Sequence, residues 1–163
     1  AGHIYANNIE NTMEFPILAL VVSGGHTDLV YMEDDYKFKV LGGTLDDAIG
    51  EAYDKVARVL GLKYPGGPNV EKMALNGKPS YKLPIPMNDE SLNMSFSGLK
   101  SSIINLVHNE QQRNRKINRE DLACSFQTVA TDQLVRKLEL AIKQTNIKNI
   151  SYLFIISLTF FKI

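Results

Sequence analysis

The sequence predicts an α/β domain: a mixed sheet with an antiparallel hairpin, covered by flanking helices. Three observations predict it. The apolar run Leu18–Val22 breaks into Ser23-Gly24-Gly25-His26-Thr27 and resumes as Asp28-Leu29-Val30-Tyr31-Met32, so two β-rich runs are joined by a Ser/Gly turn. Two later stretches repeat apolar residues every three or four positions, the period of helices with one buried face. With 163 residues, 44% hydrophobic and 22% charged, the chain suits one globular domain with a substantial core.

The hairpin is the first element. Adjacent glycines at 24 and 25 can adopt φ > 0 and leave no Cβ in the way of a ligand. Consecutive N–H groups there could converge on an anion, flanked by the hydroxyls of Ser23 and Thr27. Taken alone, such a turn is more often only a turn. The alternating segment Tyr36-Lys37-Phe38-Lys39-Val40-Leu41 predicts a third strand, ended by Gly42-Gly43.

Thr44 then reads as the N-cap of a helix running to about Leu62, with Asp46 and Asp47 in its first turn. Ala48, Ile49, Ala52, Tyr53, Val56, Val59 and Leu60 form its apolar face, while Asp47, Gly50, Asp54 and Arg58 share another. That second face is either a place where a ligand approaches the backbone or an ordinary solvated acidic surface.

Tyr64-Pro65-Gly66-Gly67-Pro68 predicts a loop, with a short helix beginning near Asn69. Three prolines within 79–93 predict an irregular excursion, and Ser97 reads as the N-cap of a helix through His108. A basic loop over 113–119 precedes a long amphipathic helix of about 24 residues carrying Leu122, Phe126, Val129, Ala130, Leu134, Leu138, Ala141 and Ile142. The closing run Tyr152–Phe161 is shorter than the roughly 18–20 apolar residues of a spanning helix and suits a buried strand.

Formal charge is zero, so no global field points to nucleic acid or membrane. Locally the balance differs: residues 1–54 hold ten Asp/Glu against two Lys, whereas Arg113, Arg115, Lys116 and Arg119 cluster. That cluster is either a solvated loop or a contact for RNA phosphates. The single cysteine, Cys124, excludes an internal disulfide framework, and its helical setting suits a small buried residue rather than a nucleophile. With no signal peptide, these features predict a cytoplasmic protein that does not enter a membrane. Ala1 in place of Met, and the apolar ending, predict a chain cut at both ends. No GxGxxG or GxxxxGK[ST] occurs, which argues against dinucleotide and P-loop sites.

SGGHT at 23–27, DDAIGEAYDK at 46–55, YPGGP at 64–68 and SFSGLKS at 95–101 together resemble, in order and spacing, the tRNA threonylcarbamoyladenosine transferases (TsaD, formerly O-sialoglycoprotein endopeptidase or glycoprotease). The resemblance covers residues 1–150 and implies a partial actin/Hsp70-like (ASKHA) nucleotide-binding lobe, with 151–163 an apolar tail that diverges from the family. It implies transfer of threonylcarbamoyl from threonylcarbamoyl-AMP to the adenosine next to the anticodon.

By the same resemblance, Val21, Val22, Ser23, Gly24 and Gly25 would cradle the adenylate, and Asp54, Gly67 and Glu71 would lie near its ribose and adenine. His3 would be the second histidine of the family's HxxGH motif and would bind a divalent metal, iron or zinc. The partners implied are tRNA, a paralogous actin-like subunit (TsaB-like), a small P-loop ATPase (TsaE-like) and a possible homodimer. No catalytic residue is assigned. His26 could bond within the hairpin loop or only fix its turn, and Ser97 and Lys100 belong to a family motif in which Ser97 reads as a helix cap.

After Lys148 the chain departs from the family, lacking the Gly-Gly-Val-x-x-Asn loop and the later metal aspartate. Little or no transferase activity is therefore expected of this chain alone. A metalloprotease is an alternative, though HxxGH lacks the glutamate of HExxH. A non-catalytic docking or dimerisation module is another.

Overall fold

The computed structural model describes residues 14–154. His3 and the end of the closing apolar run lie outside the described residues.

Among the described residues four strands form one sheet in the order β3-β2-β1-β4. The central strand β1 (Ile17–Val22) pairs antiparallel with β2 (Thr27–Asp34), in the register Leu20↔Leu29 and Val22↔Thr27. β2 pairs antiparallel with β3 (Lys37–Gly43), with irregularities at Leu29/Val30 and Met32/Asp34. On its other side β1 pairs in parallel with β4 (Asn149–Phe154). The sheet is therefore mixed, as expected, and the third strand runs through both glycines at 42 and 43.

The unbroken apolar run of β1 follows from burial on both faces. Its side chains alternate: Leu18, Leu20 and Val22 join the main core beneath the helices, whereas Ile17, Ala19 and Val21 join Val30 and Met32 in a second cluster on the opposite face.

Four helices are present among the described residues: α1 (Ile49–Val59), α2 (Gly66–Ala74), α3 (Ser97–Gln112) and α4 (Arg119–Thr145). α1 packs on α2 and α3, and α2 packs on α4. Six of the eight apolar positions named in α4 are buried, and Val129 and Ile142 pack at the core's edge. Asn118 caps α4 by accepting from the Asp121 N–H at 3.0 Å, and Asn146 closes it in the left-handed conformation at φ 54°.

Helix starts are where the sequence reading is corrected. α1 begins five residues after Thr44, with Ala48 at the N-cap position. Residues 43–45 are drawn off by Met94: the Met94 N–H donates to the Gly43 carbonyl at 2.9 Å, the Leu45 N–H donates to the Met94 carbonyl at 2.9 Å, and Thr44 bridges Met94. α2 begins at Gly66 rather than near Asn69, because the Asp54 carboxylate accepts from the Gly66 N–H at 2.8 Å. Phe96, not Ser97, occupies the N-cap position of α3, and Arg119 is the first helical residue of α4 rather than part of the basic loop. Cys124 is half-buried against the core rather than fully enclosed.

The irregular excursion of 79–93 is strapped along α4. Ser80 Oγ donates to Asp121 at 2.9 Å, and the Tyr81 N–H donates to Ser125 Oγ at 3.1 Å. The Gln133 amide donates to the Pro86 carbonyl. Lys137, fully buried, donates to Asp89 Oδ1 at 2.9 Å and to the carbonyls of Asp89 and Ser91 at 3.0 and 2.6 Å. Three acceptors around one ammonium explain how a lysine stands in a core. The Lys137 ammonium and the Ser91 hydroxyl in turn hold the Asp89 carboxyl down to about 2.

Candidate functional site

The hairpin loop is closed by its own backbone. The Ser23 N–H donates to the His26 carbonyl at 2.8 Å, and the His26 N–H donates to Ser23 Oγ at 3.0 Å. Ser23 and His26 thereby occupy each other's groups, and His26 serves the turn through its main chain. Gly24 and Gly25 lie between them, both exposed, and their N–H groups meet no acceptor among the described residues. A Cβ built on either glycine would meet no atom within 4 Å. Neither glycine has positive φ; among the described glycines only Gly61 does, at 67°. The expectation of left-handed backbone at this turn is therefore corrected: what these glycines provide is open space over two free donors.

The expected contribution of neighbouring side chains changes too. Val21 and Val22 are buried on opposite faces of β1, and both lie in the sheet register with β2 and β4, so their side chains are not open to a ligand. Thr27 is fully buried, and its hydroxyl accepts from the Ile49 N–H at 3.0 Å. It does not flank the loop; it pins the hairpin to the first turn of α1, where an N–H has no partner in the helix itself.

Asp54, Gly67 and Glu71 come together at the junction of α1 and α2. Asp54 is half-buried and uses one carboxylate oxygen on the Gly66 N–H. Gly67 is the next residue of α2, and Glu71 follows one turn later on the same face. Glu71 is 8% exposed. Asp54 stands five residues beyond Ile49, about 7.5 Å along the helix from the point where the hairpin is pinned. Of the other three residues of the expected face, Gly50 is buried, Asp47 is paired with Lys55 and Arg58 is exposed.

Tyr53 was legible only as an apolar-face residue. It is 1% exposed, packs edge-on against Phe126 with centroids 4.9 Å apart, and its hydroxyl has no hydrogen-bond partner among the described residues. Burial pushes the phenol pKa up, and the Glu71 carboxylate adds to the shift. The orphaned hydroxyl thus lies within electrostatic reach of a proposed ligand-binding carboxylate.

A second constellation was missed altogether. Asp46 accepts from Ser95 Oγ at 2.5 Å, the Phe96 N–H at 2.8 Å, the Ser97 N–H at 3.2 Å and Ser97 Oγ at 2.7 Å. Partial burial raises its pKa, but the Ser95, Phe96 and Ser97 hydrogen bonds outweigh this and hold it at about 2. A carboxylate at the start of α3 also suits the positive end of the helix dipole. DDAIG and SFSGLKS are thus partners, with Asp46 capping α3 from outside. Ser97 contributes its hydroxyl to that knot instead of capping its own helix.

Among the described residues no three His, Cys, Asp or Glu side chains gather to hold a metal ion. They make no metal site by themselves, and His3 lies outside them. No described helix is long and apolar enough to cross a membrane.

Comparison with known proteins agrees with the four motifs. A sequence profile for tRNA N6-adenosine threonylcarbamoyltransferase, TsaD, matches residues 1–156. A protein of that name from Staphylococcus carnosus is 53% identical over 156 residues, covering 95% of this chain and 45% of that protein. One from Halalkalibacterium halodurans is 51% identical over 151 residues, covering 92% of this chain and 44% of its own length. One from Geobacillus thermodenitrificans is 53% identical over 151 residues, with the same coverage, 92% and 44%. The chain thus spans just under half the length of these relatives, and it belongs to the TsaD family.

Proposed function

We propose that this chain is the part of a tRNA threonylcarbamoyltransferase that holds the threonylcarbamoyl-AMP donor. The observation that carries the reading is the Gly24-Gly25 turn: two donors without acceptors, under space that no protein atom fills. An anionic or carbonyl oxygen fits that turn, because glycine lets it approach the backbone and both N–H groups are without an acceptor among the described residues. Asp54 and Glu71 fit ribose and adenine, since carboxylates accept from hydroxyl and amino groups. The mixed sheet, with a hairpin feeding helix-covered strands, suits an actin-like lobe.

In the transfer, the N6 amine of adenosine attacks the carbamoyl carbon. The bond from that carbon to the phosphate oxygen breaks, AMP leaves with the electron pair, and the amine loses a proton. The Gly24 and Gly25 N–H groups act by positioning the donor and stabilising negative charge as it develops on oxygen. His3 would hold a divalent metal, iron or zinc, which supplies Lewis-acid polarisation when bound. tRNA and the TsaB-like and TsaE-like subunits belong to the same reading, as does a cytoplasmic location.

The test is equilibrium binding of a stable threonylcarbamoyl-AMP analogue to the 163-residue chain. Binding that falls at least tenfold in Gly24→Val and in Asp54→Ala is the expected result. No measurable binding by the unaltered chain would overturn the reading in favour of a docking or dimerisation module.

A further inference from the structure

A cavity of about 510 Å³ opens on the side of the molecule where α1 and α3 end and α4 begins. Val59, Leu60, Val107, Ile117 and Leu122 make its floor, and Arg115, Lys116 and Arg119 stand at its rim. No carboxylate lines it among the described residues. All three cations are exposed. Arg115 has a 4.0 Å contact with Glu110, an exposed pair of the kind that contributes little. Neither Lys116 nor Arg119 has an ion-pair partner among the described residues.

The Arg119 guanidinium reaches back to the chain just past the end of α1. It lies over Gly61, at φ 67°, where a Cβ would stand 2.6 Å from Arg119 Nη2. A side chain at 61 would displace it.

We infer that this pocket seats one unpaired nucleotide of the RNA substrate, its base on the apolar floor and its flanking phosphates on Arg115, Lys116 and Arg119. The choice of RNA rests on the transfer reading above; the pocket's chemistry favours it independently. Unstacked bases are held on apolar and guanidinium surfaces, and arginine matches phosphate through paired N–H donors. The volume fits a single nucleotide within the usual range of small-ligand pockets, whereas an amphipathic protein helix needs an extended groove.

The test measures binding of a fluorescent anticodon stem-loop RNA to the full chain across salt concentrations, with the adenylate analogue titrated in parallel. The combined Arg115→Gln, Lys116→Gln, Arg119→Gln variant should bind this RNA at least tenfold more weakly. Its log-affinity against log-salt slope should fall by about 2, since each lost phosphate contact on a single strand contributes roughly 0.7. Its analogue affinity should be unchanged, which shows that the variant folds.

Equal RNA affinity in the variant and the unaltered chain overturns the proposal. RNA binding absent from a chain that still binds the analogue also overturns it and leaves the transfer reading standing. RNA bound through the pocket by a chain that ignores the analogue supports the proposal while the transfer reading fails. If instead an acidic amphipathic peptide binds and is lost in the triple variant while RNA affinity is unmoved, the pocket belongs to a protein partner and the proposal falls.

Discussion

Gly24-Gly25 and Gly42-Gly43 are indistinguishable as dipeptides, and the folded chain uses them in opposite ways. At the first pair a Cβ on either glycine would meet no atom within 4 Å. Over the second the protein itself closes in: a Cβ on Gly42 would stand 2.2 Å from the Leu92 carbonyl oxygen, and one on Gly43 would stand 2.4 Å from the Asp28 carboxylate. Gly42 is glycine because backbone from the 79–93 excursion lies against it, and Gly43 faces the Asp28 carboxylate and the Thr27 carbonyl of β2. The chain's own packing gives no reason for the first pair to be glycine, which is why we assign its space to a ligand. A Gly-Gly pair therefore carries a functional meaning only when the rest of the fold does not account for it.

The sharpest way to break this contrast is Gly42→Ala. The obstructing atom is backbone, so relief requires the excursion to move. We expect a loss of about 3 kcal/mol, at the upper end of overpacking effects, read from the urea midpoint. A loss below about 1 kcal/mol would mean that residue 92 yields easily and that the two pairs do not differ in kind.

Asp46→Ala tests the neighbouring knot that holds 95–97 beside 43–46. Removing the acceptor shared by the Ser95, Phe96 and Ser97 donors should cost about 2 kcal/mol, because the α3 start loses its external cap and several groups are left unpaired. Asp46→Asn should cost less, since its amide keeps one acceptor oxygen.

Acid titration separates charge from shape at the same residue. The folded pKa of Asp46, about 2, lies below its ordinary 3.8, so the ionised form is favoured in the folded state. Its contribution is therefore complete above about pH 4 and is lost as pH falls from there towards 2. After allowance for solvent screening at this exposed carboxylate we expect about 1 kcal/mol. The stability gap between the unaltered chain and Asp46→Asn should narrow over that window; a gap unchanged down to pH 2 would show that charge plays no part.

Gly24→Ala carries the smallest expected effect on stability, within about 0.5 kcal/mol, because its methyl enters open space. Its binding of the adenylate analogue should nevertheless fall about tenfold, as the methyl stands where the ligand would lie. Unchanged analogue affinity would leave the first pair without a role.

The comparison also marks what was readable from the sequence. The hairpin, the third strand, the irregular 79–93 segment and the buried face of α4 follow from period-2 and period-3.6 patterns, which burial of one face imposes locally. Helix starts were not readable, least of all where the cap is distant. Asn118 caps α4 three residues on, yet 113–119 reads as one loop; α2 and α3 take their caps from Asp54 and Asp46, the latter about 50 residues away in sequence. The N-caps read into Thr44 and Ser97 failed for this reason: both hydroxyls bond elsewhere, Thr44 to the Asp47 carbonyl and Ser97 to Asp46. The same holds for Lys137, whose buried ammonium has no signature in a helical pattern until the excursion is laid beside it.

By itself, then, the sequence determined the order and type of the elements and the motifs that mark the TsaD family, because each is written in residues close together along the chain. The tertiary structure decided which glycine pair is open, where the helices begin, that Asp46 binds the SFSGLKS segment, and that Arg119 rests on Gly61 at the mouth of a pocket. Those outcomes depend on which distant backbone fills the space beside a residue, and no local pattern carries that information.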